Sequence, residues 1–188
     1  MPAKESDVKV ASADEISTAK GAIKRGLILL VVLFTIGYTF TPTKHIKLDT
    51  TSDRLIFTLQ WQALSVLTLL FALRGVAQKR YGTKAMDPLN GNNENAVKFE
   101  ARFLQNTLEQ LILSVFGQLV LCTHLTEATP RVIPVLVCLF VIGRAIFWMY
   151  YKKAPLKRAT GFLLTFIPSM LINVLNVVFL VMNLIGYM

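Results

Sequence analysis

The stretch "EARFLQNTLEQ", residues 100–110, decides how this chain is read, because it runs straight into "LILSVFGQLVLC", residues 111–122. The second segment is apolar enough to enter lipid, yet the turns before it carry Arg102, Asn106 and Glu109. On an α-helix Arg102, Asn106, Glu109 and Leu113 are spaced i, i+4, i+7 and i+11, so they share one face. At 1.5 Å per residue, Glu109 lies about 10 Å further along the helix than Arg102. A charge at that depth of a bilayer is costly unless it is paired or lines an aqueous pocket. The question is then whether the surrounding segments are membrane spans.

They read as spans. Of 188 residues 54% are apolar, and the mean hydropathy is +0.53, well above a typical soluble domain. Five apolar segments stand out, at roughly 26–42, 54–78, 103–124, 132–151 and 159–187. Each approaches the ~20 residues that a helix needs to cross the hydrocarbon core. They are apolar nearly all round, whereas a helix of a soluble protein hides one face. The sequence therefore predicts an all-α polytopic transmembrane bundle of five spans. The polar segment 1–24 reads as a disordered cytosolic tail, and the first span as an uncleaved signal anchor. Cys122 and Cys138 lie in or beside predicted spans, and their spacing indicates neither a disulfide nor a metal site.

Charge sets the expected topology. Fifteen of the 20 Lys and Arg residues flank the spans on the N-terminal side, four flank them on the other, and Arg144 lies within a span. That asymmetry predicts a cytosolic N-terminus and a luminal or extracellular C-terminus. The net charge of +9 then belongs to topology and anionic headgroups; the chain carries no nucleic-acid recognition element.

The fourth span, "VIGRAIFWMYYKK" at its cytosolic end, runs antiparallel to the third. Arg144, seven residues before Tyr151, should sit about 10 Å below that surface. Its depth matches that of Glu109, so a Glu109–Arg144 ion pair is expected, either fixing helix register or flooring a pocket. In the second reading Arg102, Asn106, Tyr151 and Arg158 form the rim of a cytosol-facing pocket for a small anionic, hydrogen-bonding ligand. Thr165, Ser169, Asn173, Asn176 and Asn183 share a face of the last span and suit interhelical hydrogen bonds. Gln60 and Gln62 are expected to face other helices.

These residues resemble the MAPEG family, the membrane-associated proteins in eicosanoid and glutathione metabolism. Its R-x-x-x-N-x-x-E run matches Arg102, Asn106 and Glu109. Its Gly-Arg, following Tyr and basic turn match "GRAIFWMYYKKAPLKR", with Gly143, Arg144, Tyr151 and Arg158. The resemblance covers residues 97–187 well and the second span weakly. It implies a homotrimer with glutathione bound between subunits near the cytosolic face, gripped by Arg102, Asn106, Glu109 and Tyr151. Arg158 would be the catalytic residue, beside the thiol, where a guanidinium favours the thiolate. A lipophilic substrate would enter from the bilayer.

Against the family pattern, Phe99 replaces an arginine, Gln110 an aromatic residue, and Phe147 a tyrosine or histidine. There is also one span more than the usual four. Residues 54–188 then form the MAPEG-like four-helix domain, and residues 25–53 an extra N-terminal transmembrane helix with a luminal loop. Such a five-span arrangement resembles a branch of the family associated with the secretory pathway and receptor trafficking, not with chemistry. Two functions stay open: a glutathione-dependent transferase or peroxidase, and a non-catalytic membrane regulator acting on a membrane-protein partner. Either would reside in the endoplasmic reticulum or later secretory or endolysosomal membranes. A transporter is the weaker third reading, since the spans show no internal repeat or paired broken helices.

Overall fold

The computed structural model describes residues 11–42, 48–87, 94–126 and 131–186. Its elements are five long helices: α1 (Ala13–Phe40), α2 (Thr51–Arg80), α3 (Lys98–His124), α4 (Val132–Lys153) and α5 (Ala159–Leu184). Short 3-10 turns at Lys84–Met86, Glu94–Ala96 and Pro155–Arg158 link them. Among the described residues there is no strand. The chain is an all-helical bundle of the membrane type.

α1, α2, α4 and the segment 155–184 are each long and apolar enough to cross a membrane. α3 is long enough at 27 residues, about 40 Å, but its polar side chains set it apart in composition. It packs on both α2 and α5. Pairings run Ala72 to Phe103 on α2 and α3, Gln62 to Gln118, and Arg54 to the Cys122 carbonyl, so these helices are antiparallel. Contacts of Gln110 with Thr165 and of Asn176 with the Gly117 carbonyl make α3 and α5 parallel. The helices thus alternate in direction. The start of α1, the end of α2, the start of α3, the end of α4 and the start of α5 share one end, the basic one.

α1 starts at Ala13, inside the stretch expected to be a disordered tail. The reason is local: the Ser12 hydroxyl accepts from the Glu15 amide while the Glu15 carboxylate accepts from the Ser12 amide, a capping box that satisfies two otherwise orphaned donors. Residues 1–10 lie outside the described residues. α1 buries only Ala22 and Gly26. There α5 comes so close that a Cβ on Gly26 would stand 3.0 Å from the Thr160 carbonyl. Thr160 also donates to the Ala22 carbonyl at 3.1 Å.

α3's inward face differs from the one the sequence suggested. Phe103, Thr107, Gln110, Ser114, Gly117, Gln118 and Leu121 are buried, whereas Arg102, Glu109 and Leu113 are exposed. The inward face lies one residue on, a rotation of about 100°. Gln62 is buried and donates to Gln118 at 2.8 Å, as expected; Gln60 is exposed, contrary to expectation, because two residues on a helix lie about 200° apart and α2 buries the single face of Thr58, Gln62, Ser65 and Ala72. Asn173 donates to the Leu113 carbonyl at 3.0 Å, and Asn183 is exposed.

Candidate functional site

The site begins with two glycines. A Cβ on Gly161 would stand 2.6 Å from the Gly143 carbonyl, and one on Gly143 would stand 2.8 Å from the Thr165 methyl. No side chain fits there, so the α4 and α5 backbones meet directly, as small residues permit in membrane bundles. That approach brings Arg144, the residue after Gly143, within reach of α5.

Arg144 is 1% exposed. Its Nη2 donates to Thr165 Oγ1 and its Nη1 to Asn106 Oδ1, each at 2.8 Å. Its guanidinium lies 4.7 Å from the Phe147 ring centroid and 5.9 Å from that of Phe140. Gln110, also buried, accepts from the Thr165 hydroxyl at 3.3 Å. Neutral acceptors and aromatic faces therefore hold this cation in place.

The expected Glu109–Arg144 ion pair is not formed. Glu109 is exposed and accepts from the Gln105 amide one turn earlier at 3.1 Å. Matching depth was not enough: Glu109 points to the flank of α3, while Asn106 and Gln110 face α4 and α5.

Above Arg144, at the basic end, α3, α4, the turn Pro155–Arg158 and α5 enclose a cavity of about 430 Å³. Arg102, Asn106, Tyr151 and Arg158 line it together with Phe147 and Phe162. Four of the five residues read as ligand-facing or catalytic thus meet in one space, and Glu109 does not line it. The Arg158 guanidinium sits 4.5 Å above the Tyr151 ring. Tyr151 also packs on Phe99 at 5.0 Å and on Phe147 at 5.3 Å between centroids. Two departures from the family pattern, Phe99 and Phe147, thus surround Tyr151, and the third, Gln110, joins the Arg144 cluster.

Phe162, Leu156 and Thr165 are parts of this arrangement that the sequence did not single out as site residues. Thr165 was legible as a polar position on α5, but not as the partner of Arg144. Among the described residues no cluster of His, Cys, Asp or Glu could hold a metal ion.

The fold is that of an all-helical membrane bundle, and a family model matches its sequence. The MAPEG family model covers residues 58–178, and the chain belongs to the MAPEG family. It is similar to Transmembrane protein 79 of Mus musculus, 26% identical over 166 residues, which cover 88% of this chain and 42% of that protein. Transmembrane protein 79 of Bos taurus is 27% identical over 154 residues, covering 82% and 39%. The chain therefore spans about two fifths of the length of these curated relatives. No solved structure matches. The matched region begins within α2 and does not include α1.

Proposed function

We propose that this MAPEG-family membrane protein binds a small, anionic, hydrogen-bonding ligand in the cavity at its basic end, with glutathione the first candidate. The observation that carries this reading is the joint lining of one cavity by two guanidiniums, Arg102 and Arg158, with the Asn106 amide and Tyr151. A volume of about 430 Å³ falls within the ~300–1,000 Å³ range of small-molecule sites. In this reading the basic end faces the cytosol and the protein resides in the endoplasmic reticulum or a later secretory membrane.

A second copy of the chain completes the site, in a homotrimer. Glu109 supports this: it is an exposed carboxylate on the outward face of α3, beside exposed Ile112 and Phe116. Such a charge calls for a protein or aqueous neighbour. If the bound thiol lies near Arg158, the guanidinium favours its thiolate, and a lipophilic electrophile dissolved in the bilayer is the natural acceptor.

A non-catalytic regulator, in which ligand or partner occupancy replaces turnover, has its own support. Asn106 already spends its carbonyl on Arg144, and Arg158 is stacked on Tyr151. Thermal stability in detergent across a glutathione titration tests the proposal. A ligand binding only the folded state at 100 times its dissociation constant adds about 2.7 kcal/mol. A saturable rise in Tm that Arg102→Ala abolishes supports the site. No shift at millimolar glutathione rejects it, and turnover lost in Arg158→Ala separates enzyme from regulator.

A further inference from the structure

A second concavity, sharing no lining residue with the first, lies between α2 and α4. It has two connected parts. The deeper part, about 590 Å³, has an apolar wall that includes Leu64, Phe71, Ile142 and Trp148. The outer part, about 560 Å³, is ringed by Arg74, Lys79 and Lys152, with Glu100 as the one carboxylate. Phe71, Phe103 and Trp148 line both parts, so the two are continuous. Phe71 and Trp148 meet edge to face at 5.4 Å across the gap between the helices, and the Lys152 ammonium lies 5.5 Å from the Trp148 ring centroid.

The dimensions match one leaflet. From Cys138 to Lys152 on α4, and from Leu64 to Lys79 on antiparallel α2, the lining runs about 21–22 Å. That is half of a ~30 Å hydrocarbon core plus the start of the headgroup zone. Apolar wall and charged rim follow in the order of an acyl chain and its phosphate. Three cations against one carboxylate leave the rim net positive, and none of the three is ion-paired to a carboxylate among the described residues. Arg144 also lines the apolar wall, and its Nε is buried without a hydrogen-bond partner.

We infer that this groove is a binding site for one anionic phospholipid of the leaflet at the basic end. An acyl chain lies along α2 and α4, and the phosphate sits among Arg74, Lys79 and Lys152. The charged rim distinguishes the site from the lipid that contacts any apolar helix, because it selects by headgroup. Placement of the cations alone would serve topology; their continuity with a leaflet-length groove adds recognition.

Trp148 reports directly on occupancy. The chain has two tryptophans, so Trp61→Phe leaves Trp148 as the sole fluorophore. The full chain carrying that substitution is reconstituted in phosphatidylcholine vesicles. Brominated-chain phosphatidylserine or brominated-chain phosphatidylcholine is then added as a minor component. Phosphatidylserine should quench Trp148 at a lower mole fraction than phosphatidylcholine. Arg74→Gln, Lys79→Gln or Lys152→Gln should each reduce that preference about fivefold, the equivalent of ~1 kcal/mol per charge near the surface. Ala145→Leu, which fills the apolar wall and leaves the charges in place, should weaken quenching by both lipids. Equal quenching by the two lipids would overturn the site, as would a preference unchanged in all three Gln variants. Quenching by neither lipid would mean that another copy of the chain covers the groove, which also overturns it.

Discussion

Arg144 and Arg158 belong to one continuous segment, the end of α4 and the turn after it, yet the fold treats them as opposites. Arg144 is sealed under the α4–α5 contact, its hydrogen bonds taken by Asn106 and Thr165 and its faces by Phe147 and Phe140. Arg158 is exposed, touches a single ring from one side and borders the cavity. One guanidinium is locked between helices and the other is exposed at the cavity rim. The difference comes from depth and from the backbone approach at Gly143 and Gly161, not from residue type. A buried cation needs fixed partners, because water does not reach it; Arg144 has them at both Nη atoms, while its Nε is left without one.

The largest effect should come from breaking the approach that seals Arg144. Gly161→Leu drives a side chain into the α4 backbone at Gly143 and Phe147, and should cost about 3 kcal/mol or more. A steep fall in Tm, or failure to recover a monodisperse protein in detergent, is the expected result; wild-type stability would mean that the helices do not meet there.

Next in size is Arg144→Ala, which strands Asn106 and Thr165 and empties the space between Phe140 and Phe147. A loss of about 2–4 kcal/mol is expected. Urea or thermal unfolding in detergent measures it, and a change under about 0.5 kcal/mol would make Arg144 resemble Arg158.

Arg158→Ala and Arg102→Ala should do the reverse. Their stability should stay within about 0.5 kcal/mol of wild type, as for exposed positions, while any glutathione-induced rise in Tm shrinks. Equal losses of stability in Arg144→Ala and Arg158→Ala would erase the contrast between the two.

The smallest expected effect sharpens it. Since Glu109 does not reach Arg144, the double variant Glu109→Ala/Arg144→Ala should show losses that add within about 0.5 kcal/mol. A coupling of 1 kcal/mol or more would restore the ion pair expected from depth.

The family-pattern residues show how far sequence reading reached into the site. Arg102, Asn106, Tyr151 and Arg158 were legible because spacing and span polarity put them at one end. That they border one cavity with Phe147 and Phe162 was not, since it depends on the turn Pro155–Arg158 coming to lie across the cavity from the start of α3. Glu109 was misplaced because i, i+4 and i+7 positions diverge by tens of degrees. A helix with polar groups on several faces does not announce which of them turns inward. Gln110, noted only as a departure from the family, proved to be on the buried side.

The sequence alone determined the apolar segments, the charge asymmetry between their ends and hence the class of an all-helical membrane bundle. Those features follow from transfer free energies and helix periodicity, which act residue by residue. It also placed polar groups near one end of α3 and α4. Only the tertiary structure decided which of them pair. Rotation of α3 about its axis and the glycine-to-glycine approach of α4 and α5 are collective outcomes of packing several helices at once. A shift of one residue, about 100° of rotation, is enough to give Arg144 two neutral partners and leave Glu109 outside.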